Sequence, residues 1–527
     1  MSKRKLRKVS NIFLILFINV IFILLFLTNY ESQEFSGVSF EQLLFTLVTS
    51  EGTSTSVIVD GFIYVVLRLF LVDLILFIMF LVYKNILKDK KTYINISFKN
   101  KRIKFRLFPI HFIIKFIFVL FFALSVVNYA YYKFGIDDYL NTKTSNFIRD
   151  NYVDARSVSI EAPSEKKNLI YIYVESLETS LFSNSNGGNF KSSVIPNLED
   201  LASNNINFSA SNKLGGANLI DGAGWTMGAL VSSTSGVPLK LTVSSNNESN
   251  DCRGYNTFLP GVYSIGDVLK DNGYSNYFML GSDAAFAGRD VYFSEHGDYQ
   301  IYDYNYAKNE GWISAGYSVW WGYEDAKLYN FAKKQLKEIA DENEPFNFTM
   351  LTADTHFTDG YVDESCDTPY NEHYLNSYHC SDSMLGDFVK WIQKQDFYDD
   401  TVIVITGDHL TMQSNIIDMF DYDNEDNRYV YNVYLNTDKD TDNVKNREFN
   451  ALDFYPTTLS ALGFEIEGDR LGLGTDLFSG EETLTEKYGI KELDDRLRDK
   501  SSFYNDVLLQ DTFSSCNWEF SIWCEIV

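Results

Sequence analysis

The chain has 527 residues, with 71 Asp or Glu against 45 Lys or Arg, a formal net charge of -26. So large an acidic excess excludes a nucleic-acid partner from the natural readings of this sequence. The 45% of hydrophobic residues are unevenly spread, and the first 135 positions hold three long apolar runs.

Those runs cover residues 11–28, 57–83 and 108–131, the first behind a basic leader of Lys3, Arg4, Lys5, Arg7 and Lys8. Each reaches the ~20 residues of a spanning helix. The first reads as an anchor rather than a cleaved signal peptide, because it is long, lacks a small-x-small site and precedes two further runs. Lys84, Lys88, Lys90, Lys91, Lys99, Lys101, Arg102, Lys104 and Arg106 fill one connecting loop, whereas residues 29–56 carry Glu31, Glu34, Glu41 and Glu51 and no Lys or Arg. Positive segments stay in the cytoplasm, so the N-terminus and the 84–107 loop are expected inside and everything after about residue 135 outside. Asp73 and Lys115 are expected to pair at a similar depth, while Arg68 has no obvious partner. His111 falls near the inner end of the third run.

All five cysteines, Cys252, Cys366, Cys380, Cys516 and Cys524, follow the runs, on the side where disulfides persist. Cys366 with Cys380 and Cys516 with Cys524 are the candidate pairs by loop length. The absence of a CxxC pair argues against cysteine metal ligation.

The expected organisation is a membrane anchor over 1–135, a linker over 136–167, a catalytic domain over 168–480 and a C-terminal extension over 481–527 packed on it. Four strand-like runs, 168–176, 275–283, 346–356 and 401–409, alternate with helical patterns at 196–203, 264–272, 324–338 and 383–395. That alternation predicts an α/β fold with a mostly parallel sheet flanked by helices. Ligands bind such sheets at the carboxyl ends of the strands.

Those ends carry the chemistry. Glu175 follows the first run, and Asp408 and His409 follow the last. Thr226, in GAGWTMGALVSSTSG, is expected at the N-terminus of a helix starting near Met227, where free N–H groups favour an anion. Glu175, Thr226, Asp408 and His409 together suit Mn²⁺, Zn²⁺ or Mg²⁺. A cation there would activate the threonine hydroxyl and polarise a phosphoryl oxygen. Arg289 and His356 are candidate contacts of a transferred phosphate, and His356 is a candidate acid for the leaving oxygen. His296 is a weaker substrate-binding candidate, and Trp321, beside Trp320 and Tyr323, is a candidate sugar platform. His373 and His379 read as structural.

The set YIYVESLE, GWTMGALVSSTSGVPL, FAGRDVYFSEHG, TADTHF, TGDHLTM and LGLGTDLFSGE resembles the phosphoglycerol transferase I group of the alkaline-phosphatase/sulfatase superfamily, related to lipoteichoic acid synthase. The resemblance implies Glu175, Asp408 and His409 as metal ligands with Mn²⁺ the expected ion, Thr226 as a nucleophile that is transiently esterified, and His356 on the phosphate. It implies a multi-pass protein of the bacterial cytoplasmic membrane with an extracytoplasmic catalytic domain. It also implies phosphatidylglycerol as donor, a glycan as acceptor, and a phospho-threonine ester between them. Lipoteichoic acid synthases carry a histidine shortly before the FAG motif, where this chain has Leu280 and Gly281, which favours single transfer over polymerisation. The alternatives within the superfamily are a phosphoethanolamine transferase acting on lipid A or another glycan, and a phosphodiesterase. The first typically continues Asp-His with Gly-Glu, whereas Leu410 and Thr411 follow here. A sulfatase activity would need a C/S-x-P/A-x-R motif at the nucleophile, which the sequence around Thr226 lacks.

Overall fold

A computed structural model describes residues 3–34, 55–82, 93–98, 101–106, 108–136, 142–240, 257–420 and 428–510. They fall into two compact units, one drawn from the first 141 residues and one from Thr142 onward. Cys252, Cys516 and Cys524 lie outside the described residues.

In the first unit, helices span Lys3–Glu34, Thr55–Val82 and Phe108–Lys133, and a two-stranded hairpin joins Tyr93–Phe98 to Lys101–Arg106. Two segments, Ile12–Glu31 and Val59–Met79, are long and apolar enough to cross a membrane. In the third helix the described apolar stretch is the shorter Ile117–Lys133. These helices expose their large side chains, with Phe13, Phe118 and Phe121 about two-thirds exposed or more at 68%, 69% and 70%. Water would make that costly and lipid would not. The first helix packs on both others through Phe22 against Phe122 and Tyr30 against Tyr64. Asp73 accepts a hydrogen bond from Asn19 Nδ2 at 3.2 Å, while the side chains of Lys115 and His111 lie outside the described residues. Arg68 does have a neighbour: its guanidinium lies 3.2 Å from the centroid of the Tyr64 ring.

The second unit is built on a seven-stranded sheet. In chain order its strands are β1 (Asn168–Val174), β2 (Gly216–Ala217), β3 (Ser275–Leu280), β4 (Gln300–Tyr302), β5 (Phe346–Leu351), β6 (Thr401–Gly407) and β7 (Val430–Leu435). Their spatial order is β2-β7-β6-β1-β5-β3-β4. The five from β6 to β4 are parallel, and β7 runs antiparallel to β6 and to β2. The unbroken apolar runs follow from burial on both faces. Leu169, Tyr171 and Tyr173 of β1 enter one hydrophobic cluster, and Ile170, Ile172 and Val174 enter the other.

Four of the expected helices are present, as Pro196–Asn204, Ile265–Asp271, Asp325–Ala340 and His373–Ile392. Ser264 and Asp267 close the second with a capping box. The fourth begins at His373, ten residues before the pattern that suggested it. Cys380, on that helix, is joined to Cys366 by a disulfide.

The expected linker differs from the structure. From Thr142 it is folded into the globular unit, because its apolar residues are used there. Phe147, Ile148 and Ala155 enter the core, and Ile160 pairs with Ile466. At the other end, Leu493, Leu497, Tyr504 and Leu508 enter the same core, so the described part of the C-terminal extension packs on the sheet-bearing unit.

Candidate metal centre

β1 and β6 lie side by side and parallel, with Val174 opposite Gly407. Their next residues therefore emerge together at the carboxyl edge. Glu175, Asp408 and His409 each place one ligand atom within 4.8 Å of the others, all three buried. His409 Nε2 is 3.3 Å from Glu175 Oε1 and 3.5 Å from Asp408 Oδ2.

Gly407 makes the close approach possible. A Cβ there would meet the Leu177 carbonyl oxygen at 2.0 Å, so the turn after β1 crosses directly over the end of β6. That turn starts with Ser176 at a φ of 54°, a left-handed conformation that sharply reverses the chain.

Thr226 is the first residue of the helix Thr226–Ser235, which Trp225 precedes without a side-chain capping bond. Gly222, at a φ of +80°, turns the chain into it. Thr226 is half-buried, and its hydroxyl donates to Glu175 Oε2 at 3.2 Å. Thr226 thus joins the cluster, with the free N–H groups of a helix start behind it.

The donor atoms fit a divalent cation. Asp408 Oδ1 accepts from the backbone N–H of Ser176 and His409, at 2.7 and 2.8 Å, while Oδ2 is buried and has no hydrogen-bond partner among the described residues. An orphan carboxylate oxygen aimed among other ligands is what an ion would satisfy. His409 Nδ1 lies 2.9 Å from the Leu410 carbonyl, and donating there leaves Nε2 with its lone pair for coordination. Two carboxylates, an imidazole and a hydroxyl are borderline-to-hard donors.

The charged groups of the cluster act on one another. Burial opposes ionisation of Glu175, yet His356, His409 and the hydroxyl of Ser176 hold its carboxyl well below the usual range. Burial and the Glu175 charge push Asp408 up to about 7. Burial opposes protonation of His409, but Asp408 and Glu175 raise it to about 10. Removal of that proton is part of binding a cation.

His356 lies close enough for its charge to act on Glu175, and burial lowers its pKa. Trp321 packs against it with ring centroids 4.6 Å apart. Arg289 is buried and begins the helix Arg289–Glu295, with Nε on the Phe286 carbonyl and Nη2 on that of Asp283. Burial lowers it to about 10, and Glu175 opposes that shift. Glu175, Thr226, Asp408, His409, His356, Arg289 and Trp321 are therefore brought into one region.

His296 is not brought there. It lies at the far end of the helix that Arg289 begins, buried, with Nε2 on the Phe258 carbonyl and Nδ1 3.4 Å from Asp267. Seven helical residues amount to about 10 Å, so the helix carries the two side chains apart. His379 packs on Tyr370 and bonds the Val194 carbonyl, and His373 is exposed at its helix start.

Sequence reasoning passed over the supports. Thr355 Oγ1 donates to the Glu175 carbonyl at 2.5 Å, and Ser176 Oγ donates to Glu175 Oε1 at 2.8 Å. Tyr374 and Tyr378 donate from their hydroxyls to the carbonyls of Thr355 and Ser176. In the sequence, Ser176 and Thr355 are marked by nothing beyond standing in YIYVESLE and TADTHF.

Residues 167–464, more than half of the chain, match the sulfatase family. The chain belongs to the sulfatase family. The expected superfamily thus holds, and with it the α/β fold. This sulfatase-family chain is 30% identical over 326 residues to phosphoglycerol transferase I of Xanthomonas campestris pv. campestris (strain B100), covering 60% of this chain and 43% of that protein. It is 30% identical over 338 residues to phosphoglycerol transferase I of Escherichia coli O127:H6, covering 63% and 41%. The chain thus spans less than half the length of these curated relatives. Among solved structures, the lipoteichoic acid synthase LtaP from Listeria monocytogenes is similar at 19% identity and a TM-score of 0.47, over 63% of this chain and 81% of that one. An alkaline phosphatase superfamily protein from Vibrio parahaemolyticus is similar at 21% identity and a TM-score of 0.45, over 60% and 74%.

Proposed function

We propose that this chain is a metal-dependent phosphoglycerol transferase, anchored in the bacterial cytoplasmic membrane, that moves glycerophosphate from phosphatidylglycerol to a glycan hydroxyl. The observation that carries the reading is the hydrogen bond from Thr226 Oγ1 to Glu175, at a helix start and inside a cluster of donors suited to a cation. The names of the curated relatives support the group transferred.

Glu175, Asp408, His409 and Thr226 would hold the ion, with Mn²⁺ preferred. When bound, the ion lowers the pKa of the threonine hydroxyl and polarises a phosphoryl oxygen. Thr226 Oγ attacks the phosphorus of the lipid, the bond to the diacylglycerol oxygen breaks, and that oxygen takes a proton. The acceptor hydroxyl then attacks the same phosphorus, and Thr226 leaves with its hydroxyl restored. Arg289 and His356 contact the phosphoryl oxygens, and Trp321 offers a face to the sugar. Three spanning helices, with the N-terminus and the 84–107 loop inside, put the globular unit outside beside its lipid donor.

The test is the intact mass of the full chain after incubation with Mn²⁺ and phosphatidylglycerol. A gain of one glycerophosphate, absent in Thr226→Ala, is expected. An adduct from phosphatidylethanolamine alone would make the chain a phosphoethanolamine transferase instead. Lipid cleavage at an undiminished rate in Thr226→Ala would remove the covalent step.

A further inference from the structure

We propose that Arg428 is a positioning residue for the metal centre, clamping together the two loops that carry its ligands. The inference rests on Glu175, Asp408 and His409 being those ligands. Arg428 stands just before β7, at the sheet edge where β1 and β6 end. Its Nε donates to Glu178 Oε2 at 2.8 Å, and its Nη2 donates to Glu178 Oε1 at 2.9 Å and to the Thr411 carbonyl at 2.8 Å. Glu178 is three residues beyond Glu175, and Thr411 is two beyond His409. One guanidinium therefore fixes the turn after β1 against the turn after β6.

The backbone supports the same junction. Thr179 N–H donates to the Tyr429 carbonyl at 2.9 Å, and Tyr431 N–H donates to that of Leu177 at 3.2 Å. The Arg428 side chain adds a tie from the first turn to the second, beside the one that Asp408 Oδ1 makes by accepting from the Ser176 N–H. The arrangement uses what distinguishes arginine from lysine, a planar fork that meets both oxygens of a carboxylate and still has a donor for a carbonyl.

Stability alone is a poor reason for this pair. Glu178 is wholly buried, and burial pushes its carboxyl up against the opposing pull of Arg428. Desolvating two charges consumes most of their attraction, and well-packed apolar side chains commonly do as well or better. What an apolar pair cannot supply is a directional tie to both turns.

The experiment is a Mn²⁺ titration of the full chain in detergent, reading free ion by electron paramagnetic resonance beside the thermal unfolding midpoint of the metal-free protein. The variants are Arg428→Lys, the double variant Glu178→Met with Arg428→Met, and Glu175→Gln as reference. The double variant removes both charges and is expected to keep its unfolding midpoint while losing Mn²⁺ affinity by roughly 10-fold or more. Arg428→Lys keeps the charge without the fork and is expected to lose affinity with the fold intact. If Glu175→Gln abolishes binding but both folded clamp variants bind within about two-fold of the unchanged protein, the clamp is overturned alone. If Glu175→Gln also binds normally, the metal centre falls and the clamp falls with it.

Discussion

Asp408 uses its two oxygens differently: Oδ1 receives two backbone N–H groups, and Oδ2 receives no hydrogen bond from the described residues. A substitution that keeps the first and changes the second isolates ligation from folding. Asp408→Asn does this, because the amide oxygen can take the Oδ1 position while the nitrogen, which has no lone pair to offer, stands where Oδ2 was. Its Mn²⁺ affinity should fall by more than the roughly 10–100-fold usual for outer-shell changes, with near-normal unfolding. An affinity within about ten-fold of the original would remove Asp408 from the ligand set. Asp408, like Glu175 and His409, was legible in the sequence because a polar residue directly after a wholly apolar run sits at a strand end. Arg428 was not, since its contacts depend on three strand ends meeting in space and nothing in its neighbourhood in sequence marks it. His296, the weaker candidate, stands at the far end of the helix that Arg289 begins, and that helix carries it away from the cluster.

At the scale of elements, the site depends on how closely strand ends and turns approach. Gly407→Ala adds a methyl group where the Leu177 carbonyl lies 2.0 Å away. The turn bearing Glu175 must then lift, at a cost of about 1–3 kcal/mol, and Mn²⁺ affinity should drop with it. A thermal midpoint and an affinity that both stay unchanged would show that the turn is free to move. The segment leading to His356 is held from another side. Asp325 accepts from the N–H groups of Ala353 and Asp354, and Asp354 Oδ2 accepts from Asp325 N–H, each at 3.0 Å, while Asp354 Oδ1 is buried with no partner among the described residues. Burial, then Asp325, with Glu324 and Asp363, raises the Asp354 carboxyl well above 3.8. The folded chain therefore holds a proton that the unfolded chain releases near 3.8. The stability this contributes is complete below that pH and is lost as pH rises towards the raised value. Asp354→Asn has no such proton, so its thermal midpoint relative to the parent should improve from pH 5 to pH 8. Parallel pH profiles would refute the assignment. The helix at His373–Ile392 shows why element boundaries were harder to read than strands. Its first half looks polar, but Tyr374 and Tyr378 bury their rings and give their hydroxyls to the carbonyls of Thr355 and Ser176. Tyrosine used this way leaves a weak hydrophobic period.

At the scale of the molecule, alternation of strands and helices made the α/β class readable, but not the strand order. β1, first in sequence, lies between β6 and β5, and only the crossovers decide that. Among the described residues, both large hydrophobic clusters draw on residues from Phe147 onward. A chain starting at Thr142 should therefore fold and bind Mn²⁺ with an affinity within about two-fold of the full protein. Its kinetics should differ by substrate. Against a water-soluble short-chain phosphatidylglycerol both proteins meet donor by diffusion, and their rates should agree. If the chain acts as proposed, phosphatidylglycerol in vesicles presents a high effective concentration of donor to the full chain, and the truncated one should be slower by roughly 100-fold. Equal rates on vesicles would mean that the helices do something other than hold the site near its donor. Loss of rate on the soluble lipid would mean that they shape the site itself.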